Sequence, residues 1–201
     1  MSYQLFSDDI VFLQRLLKSE SLYTDKIDGI WGPNTDKAVT QFEAQSKAIA
    51  EQIMSFDSRS ERNIQTLNLK AQSAARLFLK AVLSAGISAR IISGTRTYAE
   101  QDHLYGIGRN GNPGHVVTNA RGGQSNHNFG IAWDIGVFEN GNYLPESPLY
   151  DQAAKTGLDA LPQLEWGGDW HSITDRPHFQ LATGLSISEV RQRFEAGQAY
   201  V

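Results

Sequence analysis

The chain of 201 residues contains no cysteine. That excludes disulfide cross-links, thiolate nucleophiles and thiolate metal ligands, so any metal site must be built from His, Asp or Glu. It also lacks an apolar run approaching the roughly 18 residues that cross a bilayer, and no membrane span is expected. No block of Lys or Arg stands out and the formal net charge is −4, so nucleic acid is not an expected partner. The opening segment MSYQLFSDDI has no basic start followed by an apolar stretch, and it carries two early aspartates. It does not read as a secretory signal. Synthesis in the cytoplasm is expected, and any work beyond it would need another route of release. Histidine is scarce: His103, His115, His127, His171 and His178 are the full set, which makes the search for a metal site short.

What is present reads as a small helical module followed by a larger domain. Residues 7–18 fit a helix, with Ile10, Leu13, Leu16 and Leu17 forming an apolar stripe and Asp8 and Asp9 at its positive end. After a turn at Asp28-Gly29, Pro33 and Asn34 lead into a second helix with Ala38, Val39 and Phe42 inward. The expected organisation is a module over 1–50, a linker over 51–62 and a main domain over 63–201. The polar SFDSRSERN stretch, residues 55–63, serves as connector. In the main domain, Ala71, Ala74, Ala75, Phe78, Ala81, Val82 and Ala85 follow helical spacing, and Gly86 is placed to end that helix. ARIIS (89–93), IAWDIGVF and HFQLA read as strands, and Thr97 with Glu100 forms a capping box. Residues 106–123 hold six glycines and read as one long loop, a common seat of function.

On a strand, alternate residues share a face, so Ala132, Asp134 and Gly136 would lie together, as would His178 and Gln180. Two adjacent strands could direct Asp134 and His178 at one point, with His127 arriving from the preceding loop. Two imidazoles and a carboxylate suit a zinc ion with an open position for water, whose pKa the metal lowers to roughly 7. Asp175, three residues before His178, and Glu165 are the candidate general bases. Arg96, just after a strand, is the candidate cation for an oxyanion or a substrate carboxylate. Each residue also has a plainer reading. His127 could be a hydrogen-bonded structural histidine, Asp134 a turn or cap residue, Asp175 a turn residue before Arg-Pro, and Arg96 half of a surface ion pair.

SNHNFGIAWD, residues 125–134, matches S-x-H-x-x-G-x-A-x-D and resembles the VanY-like zinc peptidases, which cut peptidoglycan stem peptides as D-Ala-D-Ala carboxypeptidases, dipeptidases or L-alanyl-D-glutamate endopeptidases. SGTRTYAEQDHLYGIGR, VVTNARGG, LEWGGDW and DRPHFQ resemble further blocks of the endopeptidase branch in the same order, so the likeness covers roughly residues 57–182. It implies an α+β fold of the hedgehog/D-Ala-D-Ala peptidase kind, a small antiparallel sheet with flanking helices, preceded by the all-α module. It implies zinc on His127, Asp134 and His178, Asp175 as general base, Arg96 on the oxyanion and Ser125 shaping the site. Many relatives carry Glu where Asp175 stands, which keeps Glu165 as the alternative base. LQRLLKSESLYTDKIDGIWGPNTDKAVTQFEAQ is similar to the peptidoglycan-binding domain 1 pattern, with Glu43 where that family usually has Gln.

The expectation is a monomeric zinc hydrolase of bacterial peptidoglycan, with the L-Ala–D-Glu bond as first target and a D-Ala-D-Ala carboxypeptidase as alternative. A metal-containing wall-binding protein without activity is the alternative from another class. The setting stays open between a phage endolysin, an injected toxin and a wall-remodelling enzyme.

Overall fold

The computed structural model describes residues 7–171 and 173–201. Its elements in chain order are α1 (Ser7–Ser19), α2 (Pro33–Ile53), α3 (Ser58–Ile64), α4 (Leu69–Ser84), β1 (Ala89–Ser93), α5 (Tyr98–Gly106), β2 (Ala132–Glu139), β3 (Asn142–Leu144), α6 (Leu149–Ala160), β4 (Leu164–Trp166), β5 (His178–Leu181) and α7 (Ile187–Glu195). Short 3-10 turns occupy Asn126–Phe129 and Gly167–Asp169. The chain packs as two compact units. One takes residues up to Gln45 with 96–129 and 183–201, and the other takes 46–95 and 130–182.

In the first unit, α1 buries Ile10, Leu16 and Leu17 as its stripe requires. Buried Gln14 closes the following turn: its side-chain carbonyl accepts from the Asp28 and Gly29 amides and its amide donates to the Asp28 carboxylate. An aromatic cluster joins helices distant in sequence. Phe12 of α1 lies 5.2 Å from Phe194 of α7 and 6.3 Å from Tyr98 of α5, and Phe129 lies 5.4 Å from Phe194. Such tilted and edge-on pairs add about 0.5–1.5 kcal/mol each beyond their buried area. The capping box at Thr97 and Glu100 forms as expected and starts α5. Residues 107–125 carry no helix or strand, in keeping with their glycines.

The second unit is an antiparallel sheet in the order β1-β2-β5-β4, with β3 pairing against β2, so the α+β class expected from sequence holds. Its core gathers Phe78, Leu79 and Val82 of α4, Trp133, Ile135 and Val137 of β2, and Phe179 of β5. Phe78 stands 4.4 Å from Phe179 and 6.2 Å from Trp133. α4 ends at Ser84 with Gly86 at positive φ, as expected, but Ala85 is exposed at the C-cap rather than part of the stripe.

The polar stretch 55–63, expected as a connector, carries α3. Asp57 caps it by accepting from the Arg59 and Ser60 amides, and Ile64 is fully buried at its end. Glu61 of α3 grips Arg76, whose side chain is completely buried in α4, through two hydrogen bonds of 2.7 Å, and it also accepts from the Phe56 amide. Burial works to raise the Glu61 pKa, but the bonds from Arg76 and Phe56 outweigh it and hold the carboxyl below its usual range.

Glu61→Gln leaves a buried guanidinium short of its counter-charge and is expected to lower unfolding stability by about 3 kcal/mol, as measured by urea denaturation. Because the folded pKa is depressed, the native protein holds this stability above the ordinary glutamate pKa and loses it as pH falls through the folded value. The variant should lack that acid limb, and an unchanged pH profile would refute the assignment.

Candidate metal centre

The register of β2 against β5 places Ala132 opposite Gln180, Trp133 opposite Phe179 and Asp134 opposite His178. Because side chains alternate, the apolar pair Trp133 and Phe179 enters the core, while Asp134 and His178 project together on the other face. The His178 Nδ1 lies 3.4 Å from the Asp134 Oδ1. On the ring's far side, Nε2 meets the Gln180 Oε1 at 2.9 Å, and the Gln180 Nε2 donates to the Glu165 Oε2 at 2.7 Å. The Trp170 ring packs over the imidazole with centroids 4.8 Å apart. Burial favours the neutral ring, but the hydrogen bonds to Asp134 and Gln180 and the charges of Asp134 and Asp175 outweigh it and hold the His178 pKa above its ordinary value. A metal ion competes with that proton for the ring, so metal binding weakens as pH falls.

Asp175 sits in the turn that delivers the chain to β5. Its amide donates to the Gly167 carbonyl at 2.9 Å and its carbonyl accepts from the His178 amide at 3.2 Å. The Trp166 indole N–H donates to the Arg176 carbonyl and secures the same turn. Gly167 is required by contact: a Cβ there would stand 2.6 Å from the Asp175 carbonyl oxygen and 3.1 Å from the His178 Cβ.

His127 is buried in the 3-10 turn Asn126–Phe129, which begins with the Asn128 amide donating to the Ser125 carbonyl. The Arg96 amide donates to the His127 carbonyl at 3.1 Å. Fully buried Asn128 ties the neighbouring segments together, donating to the Arg96 carbonyl at 2.9 Å and accepting from the Gly123 amide at 2.9 Å. The Arg96 guanidinium reaches the Gln101 Oε1 at 3.4 Å. Gly130, at φ 67, then turns the chain into β2.

One ligand atom from each of His127, Asp134 and His178 lies within 4.8 Å of the others. Two imidazoles and a carboxylate make a donor set that fits a divalent metal ion. Of the residues singled out in the sequence, these three come together. Asp175 lies on the turn into His178, Glu165 is bonded to Gln180, Arg96 is anchored on the His127 carbonyl, and the Ser125 carbonyl starts the His127 turn. His103, His115 and His171 are exposed. Sequence reasoning missed what Asn128 and Gly167 do, and it placed Gln180 on the His178 face without giving it a task. Each shows itself only through a partner distant in the chain or a close backbone approach.

Residues 118–181 match the family described as D-alanyl-D-alanine carboxypeptidase, and residues 6–47 match the peptidoglycan binding domain family. The chain is 36% identical over 109 residues to the peptidoglycan L-alanyl-D-glutamate endopeptidase CwlK of Bacillus subtilis (strain 168). That alignment covers 50% of this chain and spans 65% of the length of the relative. Among solved structures, the chain is similar to the L-Ala D-Glu endopeptidase ChiX of Serratia marcescens, with 27% identity, 65% of this chain and 92% of that chain covered, and a TM-score of 0.49.

His127→Ala, Asp134→Ala and His178→Ala should each weaken divalent-metal binding beyond the 10–100-fold typical of losing an outer-shell partner. His103→Ala, His115→Ala and His171→Ala should leave it unchanged. Metal retained after dialysis, measured by elemental analysis, checks both halves.

Proposed function

We propose that the chain is a zinc-dependent peptidoglycan hydrolase that cleaves the stem peptide, with the L-Ala–D-Glu bond as its target. The observation that carries this reading is the convergence of His127, Asp134 and His178 beside the Asp175 turn, within a segment that matches a peptidase family. The name of the 36%-identical relative supports the choice of bond. Zinc suits the donor set, two imidazoles and a carboxylate whose ligand atoms lie within 4.8 Å of one another and would hold it.

When bound, the ion polarises the scissile carbonyl and acidifies water at the site. The remaining work belongs to side chains. Asp175 takes a proton from the attacking water as its oxygen bonds to the carbonyl carbon. It then gives that proton to the departing amine nitrogen as the C–N bond breaks. The Arg96 guanidinium pairs with the negative charge that develops on the carbonyl oxygen, or with a carboxylate of the stem peptide. The carbonyl of Ser125 and the side chain of Asn128 keep the His127 turn and the Arg96 backbone in one arrangement. Residues 6–47 hold the chain on the polymer and raise the effective concentration of peptide at the site.

Purified peptidoglycan incubated with the protein should release fragments with a new N-terminal D-Glu by mass spectrometry, and a chelator should abolish them. Loss of a single terminal D-Ala instead would move the activity to the carboxypeptidase alternative with the same residues, and no product from a zinc-loaded sample would refute the hydrolase. Asp175→Asn should keep zinc while turnover falls by about 10²–10⁴-fold, the range that general acid–base catalysis supplies.

A further inference from the structure

Glu165 and Gln180 face each other as cross-strand partners of β4 and β5, and Gln180 and His178 lie two residues apart on one face of β5. The three side chains form a line. The Glu165 Oε2 lies 2.7 Å from the Gln180 Nε2, and the Gln180 Oε1 lies 2.9 Å from the His178 Nε2. The polarity of this line follows from its outer end. An ionised carboxylate only accepts, so Gln180 must turn its NH2 toward Glu165 and its carbonyl toward the ring. A carbonyl also only accepts, so the ring nitrogen facing it must carry the proton. The Asp134 carboxylate beside Nδ1 is an acceptor as well, so without a metal it favours a second ring proton there; were a metal to take Nδ1, the one remaining ring proton would sit on Nε2, facing Gln180. Nδ1 is the nitrogen that faces the Asp134 Oδ1 at 3.4 Å. Gln180 is 7% exposed and His178 5%, so bulk water does not substitute for the amide, whereas Glu165 stands at the exposed end where its charge is solvated.

We infer that Glu165 and Gln180 are a positioning pair: they hold His178 in the Nε2–H tautomer and aim its Nδ1 lone pair at the metal position shared with Asp134 and His127. The inference rests on the proposed metal site. It gives Glu165 a task different from that of a general base, because its carboxylate acts through Gln180 and His178 rather than on the water. Removing the acceptor at the outer end frees the Gln180 amide to rotate, and a rotated amide offers N–H to Nε2 and selects the tautomer that cannot bind through Nδ1. Metal-binding histidines depend on such outer partners for orientation and basicity.

The test uses the full chain in two arms. In metal-free protein, nitrogen-15 NMR of the His178 imidazole should show a proton held on Nε2, whatever the state of Nδ1, in the native protein and in Glu165→Asp, whose carboxylate still only accepts. Glu165→Ala should show a mixture. Titration with zinc against a chromophoric chelator should show affinity 10–100-fold weaker in Glu165→Ala and closer to native in Glu165→Asp. An unchanged tautomer and unchanged zinc affinity in Glu165→Ala overturn the inference. A native protein that bound no zinc would defeat the proposed function, while the tautomer arm would still decide the positioning role.

Discussion

The pairing of Asp134 directly opposite His178 is the constraint on which the rest of this site depends, and it is enforced from the far side of the sheet. Trp133 and Phe179 are neighbours of those two residues, paired with each other and fully buried against Phe78. A slip of one residue between β2 and β5 would flip one strand's side chains to the other face. It would bring Asp134 or His178 into the core, or expel an aromatic ring. Burying an unpaired carboxylate costs several kcal/mol, and exposing Trp or Phe forfeits a burial worth about 2 kcal/mol or more. The apolar face therefore sets the geometry of the polar one. Chemistry at Asp134 and His178 needs no separate scaffold, because the register that makes the core also makes the ligand pair.

The electrostatics on that face ask for a cation. His178 lies between the Asp134 carboxylate and the Gln180 carbonyl, and the charge of Asp175 also acts on it. The ring responds by favouring its protonated form although burial opposes that. With no metal, the proton is the available positive charge. A divalent ion held by His127, Asp134 and His178 would satisfy the same field, taking the place of the ring proton beside Asp134.

What could be read from the sequence was set by local periodicity and by chemistry that few residue types can supply. The stripes of α1 and α4, the Thr97–Glu100 capping box and the alternation in IAWDIGVF each involve residues within a few positions of one another. His127, Asp134 and His178 could be singled out as candidate ligands because five histidines and no cysteine keep the search short and because their motif resembles that of a zinc-peptidase family. The buried Arg76 was not, since a cation on an alanine-rich helix reads as solvated until its partner is known, and Glu61 lies fifteen positions earlier in a stretch that looks like a connector. β3 and β4 hold three residues each, too few for a period of two to show, and pairing in the sheet defines them. Gly167 gives no sign of its role, because what it avoids is a contact with Asp175 made only after the turn has formed.

Two acids near one histidine pose a question of role that distance along the chain does not answer. Asp175 is the nearer in sequence, but its turn is built by backbone bonds from its amide to Gly167 and from the His178 amide to its carbonyl. Those bonds fix where Asp175 stands on the turn into His178, the residue to which the proposed function gives the proton transfer. Glu165 is held differently. As the cross-strand partner of Gln180 it is tied to an amide, and that amide is tied to the ring. A base must exchange its proton in each cycle, and a carboxylate that became protonated at Glu165 would lose the strict acceptor character that orients Gln180. The same residue would then disturb its own metal ligand in mid-reaction. The proposed division of work, with proton transfer at Asp175 and fixed charge at Glu165, avoids that conflict.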